Sequence, residues 1–157
     1  MSSRRRASLI DEPESDGPDG MSIFWLLSRL DRLAHNAIEP VVRDLGLSVA
    51  QYTVLCVLGV SHGLSNAQLA RQSFVSPQSM NEVLSRLQQL GLIQRTADPM
   101  HGRVLHTDLT ARGRRVLRTC TNRTQRIEDR MLDGLDARQR AEFRRMIGVC
   151  VASLQRV

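Results

Sequence analysis

Residues 66–95 read NAQLARQSFVSPQSMNEVLSRLQQLGLIQR, and the partition of this stretch decides the fold. Its second half is the most legible helix in the chain. Ser76 is a good N-cap, because its hydroxyl can accept from a backbone N–H that the first turn leaves unpaired. Pro77 stands at the first helical position, where a missing N–H costs nothing. Met80, Val83, Leu84, Leu87 and Leu90 recur at three- and four-residue steps and form one apolar stripe. Gly91 stands where a left-handed residue commonly ends a helix. Gln78, Ser79, Asn81, Glu82, Ser85 and Arg86 are left on the outer face. Upstream, Ser65 is a candidate cap for a short helix, NAQLARQ, with Leu69 and Ala70 facing inward.

The neighbouring segments extend this pattern in both directions. After Gly91, LIQRTA and VLHTDL are short strand-like runs separated by DPMHGR, the signature of a hairpin. Thr110 then caps a long helix running to about Leu132, with Val116, Leu117, Cys120, Ile127 and Met131 on its apolar side. Asp136 and Gln139 stand at capping-box spacing before a last helix striped by Phe143, Met146, Ile147, Cys150, Val151 and Leu154. On the other side, Ser48 caps a helix with Val54, Leu55 and Leu58 inward. Before it, Ile23, Leu26, Leu27, Leu30, Leu33, Ala34 and Ile38 mark a helix expected to stop at Pro40. Residues 1–20 are polar, acidic and rich in Pro and Gly, so they are expected to form a disordered arm.

Composition narrows the partner. The 157-residue chain has a formal net charge of +6 and a pI near 10.8, and all its basic charge is arginine. In the arm, Arg4, Arg5 and Arg6 are outnumbered by Asp11, Glu12, Glu14, Asp16 and Asp19, so the positive excess belongs to the rest of the chain. Such a body favours a polyanion, nucleic acid before membrane, since no basic amphipathic helix with an aromatic face is present. No apolar run approaches the roughly 20 residues that cross a bilayer, and the N-terminal arginines precede no apolar h-region, so a cytoplasmic location is expected. Three widely spaced cysteines, Cys56, Cys120 and Cys150, encode neither a disulfide framework nor a zinc site and read as small buried hydrophobes.

Two helices, the second well capped and polar outside, followed at once by a hairpin with a basic tip, are the order of a winged helix-turn-helix. The expected fold is mainly α with a small β-hairpin wing. Its winged helix-turn-helix core covers about residues 47–112, flanked by dimerisation helices at about 21–45 and 111–154. In this motif the second helix enters the major groove, about 12 Å wide, and the wing reaches toward the minor groove. Arg103 at the wing tip suits that narrow, negatively charged groove. The expected DNA-binding set is Ser76, Gln78, Ser79, Asn81, Glu82, Ser85, Arg86, Arg95, His101 and Arg103. Arg95 either contacts phosphate or covers the hairpin with its stem. Arg112 or Arg115 is expected to touch DNA backbone only peripherally.

LSVAQYTVLCVL, the 66–95 stretch and DPMHGRVLHTDLTARG together resemble the DNA-binding core of the MarR family of bacterial transcriptional regulators, over roughly residues 21–154. That family's wing carries Asp-x-Arg, five residues, then Leu-Thr. Here Arg103 precedes Leu109-Thr110 at that spacing, but His101 replaces the aspartate, which implies a more mobile wing or a pH-dependent phosphate contact. Glu82 stands where a basic residue is common; it can accept from cytosine N4 but repels phosphate. The first helix and the last two are too apolar for surface helices, so a homodimer on double-stranded DNA reading a pseudo-palindromic operator is expected, and as a repressor, because a compact dimer straddling a promoter blocks polymerase. The resemblance implies a small aromatic or phenolic effector between the dimerisation helices and the winged domain, with Arg32, His35 and Tyr52 as candidate ligand-orienting groups.

Other classes find less support. No phosphate-cradling loop, HExxH or GxSxG is present, and His35, His62, His101 and His106 have no metal-ligand spacing, so neither an enzyme nor a metal or organic cofactor is expected. His101 and His106 flank a wing strand and read as solvent-exposed. The alternatives are a helical protein-interaction module that has lost DNA binding, motivated by Glu82 and His101, and a redox-responsive regulator using Cys120.

Overall fold

The computed structural model describes residues 20–98, 100 and 104–155. Its elements run α1 (Ile23–Arg43), α2 (Val49–Val60), α3 (Asn66–Gln72), α4 (Pro77–Gln89), β1 (Ile93–Ala97), β2 (Leu105–Leu109), α5 (Ala111–Met131) and α6 (Ala137–Leu154). The chain divides into two units, the first ending at Leu33 and the second beginning at Ala34. Within the first, Ile23, Phe24, Trp25, Leu26, Leu27 and Leu33 are exposed along the leading part of α1, and the Arg29 guanidinium stands 5.1 Å from the centre of the Trp25 ring.

Local chemistry accounts for the helix starts. Ser48, Ser65, Ser76, Thr110 and Asp136 each have extended backbone and accept a side-chain hydrogen bond from a first-turn N–H. At Ser48, Ser65 and Asp136 a glutamine three residues on returns the bond, closing a capping box. One expected boundary is wrong: α1 does not stop at Pro40 but carries it inside and runs to Arg43. Proline removes one ladder bond, but Asp44 N–H donates to the Pro40 carbonyl at 3.1 Å and Val42 is buried, so packing holds the last turn helical.

The core of the second unit gathers Leu55 and Leu58 of α2, Leu69 of α3, Met80, Leu84 and Leu87 of α4, Ile93 and Leu109 of the hairpin, and Cys120 of α5. Full burial of each large aliphatic side chain contributes roughly 1.5–3 kcal/mol. Their meeting point fixes α4 against α2 and α3 with its polar face outward. β1 and β2 pair antiparallel from Ile93↔Leu109 to Ala97↔Leu105, and Leu64 forms an isolated bridge to Thr107. That bridge ties the α2–α3 turn to the hairpin, through Thr107 N–H donating to the Leu64 carbonyl at 2.9 Å. The result is a winged helix-turn-helix.

Candidate nucleic-acid interface

α4 leaves Pro77 N-capped by Ser76, whose Oγ accepts from the Ser79 N–H at 3.1 Å and lies 2.9 Å from the Ser79 hydroxyl. Ser76 and Ser79 are therefore engaged with each other at the start of the helix. Gln78, Glu82 and Ser85 are exposed and make no hydrogen bond or ion pair among the described residues, so their polar ends remain available. Arg86 reaches only Gln89, at 3.4 Å. The first-turn N–H groups of α4 add a partial positive charge, the usual partner of a phosphate.

Asn81 is less free than its surface position implies. Its Oδ1 accepts from Asn66 Nδ2 at 2.9 Å, and the same Asn66 amide donates to the Pro77 carbonyl at 3.3 Å. Asn66, the first residue of α3, thereby staples α3 to the start of α4. Sequence reading missed this residue, and no periodic signal could have exposed it, because the contact joins two helices fifteen residues apart.

The far end of α4 hands over directly to the wing. Gly91 takes φ +65°, its N–H donates to the Gln88 carbonyl, and Leu92 N–H donates to Leu87, a Schellman closure. Thr110 then clamps this junction from the other side. Its hydroxyl donates to the Gly91 carbonyl at 2.8 Å and accepts from Gly113 N–H at 3.0 Å.

The base of the wing is held by a cluster not anticipated from sequence. His106 Nδ1 lies 2.6 Å from the Gly63 carbonyl, which can only accept, so this nitrogen donates. Nε2 lies 2.7 Å from the Asp98 carboxylate, so both ring nitrogens face acceptors, an arrangement that favours the protonated ring. The Asp98 hydrogen bond, followed by the Gly63 carbonyl, pushes the His106 pKa above the ordinary imidazole value. Gly63 N–H donates to Asp108 at 2.9 Å, and His62 stands 3.6 Å from the same carboxylate. Both backbone groups of Gly63, in the α2–α3 turn, are thus gripped by wing side chains. The expectation of a solvent-exposed His106 is corrected: its side chain retains 32% exposure because Asp98 and Gly63 enclose both ring nitrogens. His101 and Arg103, the expected wing-tip contacts, lie outside the described residues, as does the arm apart from Gly20.

Arg95 stands opposite Thr107 on the face of the hairpin that also carries Ile93 and Leu109, so its stem lies toward the core. It is half-buried, and its Nε has no hydrogen-bond partner among the described residues. The cysteines differ from one another. Cys120 is buried and Cys56 half-buried, and burial pushes both thiols up. Cys150, expected inside, is exposed, because nothing described covers that face of α6. Among the described residues no group of three or more potential metal ligands occurs.

Of the candidate effector residues, Arg32 lies in the first unit, and His35 and Tyr52 lie in the second. Tyr52 is half-buried, and its hydroxyl shares a hydrogen bond of 3.0 Å with Thr124 Oγ1, which also lies 3.2 Å from the Thr121 carbonyl. Burial raises the phenol pKa, and the Thr124 bond opposes this. His35 is exposed and lines an open cleft of about 550 Å³ with Glu39, Arg43 and the α1–α2 turn; Tyr52 does not line it. Arg32 belongs to the first unit and is exposed.

With this geometry established, comparison with known proteins settles the lineage. The MarR family pattern matches residues 45–104, from the α1–α2 turn into the wing. The HTH-type transcriptional repressor Rv2887 of Mycobacterium tuberculosis is 36% identical over 129 residues, covering 82% of this chain and 93% of that protein. The chain belongs to the MarR family. A crystal structure of Rv2887 in complex with DNA superposes with a TM-score of 0.68 at 32% identity, covering 83% of this chain and 98% of the other. Another, in complex with salicylic acid, gives 0.69 at 35% identity, over 84% and 98%. Within this MarR fold, α3 and α4 are the helix-turn-helix pair and β1–β2 the wing.

Proposed function

We propose that this MarR-family chain is a transcriptional repressor that binds double-stranded DNA as a homodimer, and that a small aromatic or phenolic acid releases it. The observation that carries the reading is the polar face of α4, with Gln78, Glu82, Ser85 and Arg86 projecting beside a wing latched to the helix-turn-helix. A relative of similar sequence has been crystallised with DNA. In this reading α4 enters the major groove, with Ser76, Ser79 and Asn81 shaping its leading end as much as touching DNA. Arg103 and His101 extend the contact from the wing, and Arg95 buttresses the hairpin.

The domain plan follows: an arm at 1–20, a winged helix-turn-helix at about 47–112, and dimerisation helices at about 21–45 and 111–154. Support for pairing comes from α6, where Met146, Ile147, Val149, Val151 and Leu154 are exposed, and from the exposed apolar residues of leading α1. A two-fold dimer would read a pseudo-palindrome with half-sites one helical turn, about 34 Å, apart. The effector reading leans on the salicylic acid complex of the relative and on Tyr52, with His35 and Arg32 as further candidates. A sensor role for Cys120 loses its premise, because a fully buried thiol with a raised pKa holds little of the reactive thiolate. No helix among the described residues is long and apolar enough to cross a membrane.

The test is a titration of the full chain against DNA upstream of its own gene, at two salt concentrations and with unrelated competitor DNA. Competitor-resistant binding that weakens steeply with salt is expected, since each neutralised phosphate releases counterions. Binding no better than to competitor across a panel of genomic fragments refutes specific recognition and leaves the protein-interaction module.

A further inference from the structure

Three helices of this chain end in the same Schellman closure, and the middle one breaks the rule that the other two obey. α1 closes on Gly46, whose N–H donates to Arg43 while Leu47 N–H donates to Val42; α4 closes on Gly91 in the same way. α3 closes on Phe74, with Phe74 N–H donating to Arg71 and Val75 N–H to Ala70. The left-handed residue is glycine at φ +76° and +65° in the outer cases, and phenylalanine at φ +53° in the middle one. Phe74 is the one non-glycine residue with positive φ among those described. A left-handed conformation crowds Cβ against the following carbonyl, a penalty glycine avoids.

The ring returns nothing to the fold in exchange. Phe74 is 87% exposed, so an aromatic side chain that could bury its surface stands in water while its backbone is strained. The closure requires a left-handed residue but not a phenylalanine, and a strained, exposed ring where glycine would serve points to use by a partner. The position says which partner. Phe74 lies in the turn of the helix-turn-helix, two residues before the Ser76 cap and four before Gln78, on the approach to the leading end of α4. Nearby Arg71 is exposed, and the chain as a whole is basic, which suits a polyanion better than an apolar protein surface.

We propose that Phe74 is a DNA contact, its ring resting on deoxyribose carbons and a thymine methyl group at the edge of the major groove entered by α4. The contact rests on the DNA-binding reading above. Apolar side chains read thymine by its C5 methyl, which no other base presents there. With its left-handed backbone the ring stands exposed, four residues before Gln78 on the approach to the leading end of α4.

The experiment compares the full wild-type chain with F74G and F74A for thermal unfolding and for affinity toward the operator found by titration, alongside unrelated DNA. F74G relieves the backbone and removes the ring, so it is expected to unfold at a higher temperature yet bind the operator on the order of tenfold more weakly. F74A removes the ring while keeping the strain, so it should lose similar affinity without the gain in stability. A second arm replaces operator thymines by deoxyuridine, one at a time. One such replacement should weaken the wild type and leave F74G unaffected. If the wild type binds its operator and both variants bind equally well, the contact is overturned while the regulator reading stands. If the wild type itself shows no preference over competitor DNA, the regulator reading falls and the proposal with it.

Discussion

Gly113→Ala tests whether α5 is seated on the hairpin as closely as the structure has it. Gly113 is buried in the first turn of α5, with its N–H on the Thr110 hydroxyl. A Cβ there would overlap the Leu92 carbonyl oxygen, stand 3.0 Å from the Leu92 carbonyl carbon and meet Leu109 Cδ2 at 3.4 Å. The obstruction is backbone and cannot rotate away. That carbonyl also accepts from Thr110 N–H at 3.0 Å and from the Thr110 hydroxyl at 3.2 Å, so moving it breaks the cap. Alanine is favoured over glycine inside a helix by about 0.5–1 kcal/mol, whereas overpacking that displaces backbone costs about 1–3 kcal/mol and occasionally more. With a cap bond at risk, the cost wins by about 2 kcal/mol, a fall in Tm of about 4–8 °C for a chain of this size. Gly59→Ala is the control: its Cβ would meet Leu117 Cδ2 at 2.6 Å, the movable end of a side chain, so a smaller loss is expected. Thermal unfolding followed by circular dichroism measures both. A Gly113→Ala protein at or above the wild-type Tm would mean that helix propensity outweighs the contact, and the close seating of α5 on Leu92 would be wrong.

Two further substitutions probe the wing. His106 has a raised pKa through Asp98 first and Gly63 second, with Asp108 adding charge and burial opposing. Its contribution to stability is therefore complete below the unfolded value near 6.5 and lost as pH rises through the folded value. The Tm difference between wild type and His106→Gln should be largest near pH 5.5 to 6 and shrink on the alkaline side; an imidazole resonance titrating at or below the ordinary value would contradict the latch. Thr107 is 0% exposed and its hydroxyl has no hydrogen-bond partner among the described residues. Thr107→Val should be neutral or stabilising by up to about 1 kcal/mol in a urea titration, because an unsatisfied buried hydroxyl is replaced by a methyl group of like shape. A loss exceeding that amount would show that the hydroxyl is bonded after all.

The local grammar of the chain was legible without coordinates. Ser48, Ser65, Ser76, Thr110 and Asp136 cap the helices at which each was expected, the 66–72 helix has the anticipated bounds, and Gly91 takes the left-handed turn between α4 and the hairpin. These features depend on neighbours three or four residues away, so periodicity and cap chemistry suffice to place them. The same grammar ordered two helices and a wing, and through them the resemblance to the MarR family. What depended on distant neighbours was not legible. Pro40 reads as a stop, yet packing at Val42 carries α1 past it; Asn66 reads as a helix surface residue, yet it staples α3 to α4. Phe74 reads as an apolar residue between two helices, yet the closing of α3 turns it left-handed and outward. His106 reads as an exposed wing histidine, yet Gly63, forty-three residues earlier, and Asp98 fix both ring nitrogens. Sequence alone determined which segments are helix, turn and strand, because those choices are made by adjacent residues. Only the tertiary structure decided which polar groups meet, because burial of the shared core brings distant segments together and leaves their donors and acceptors to find one another.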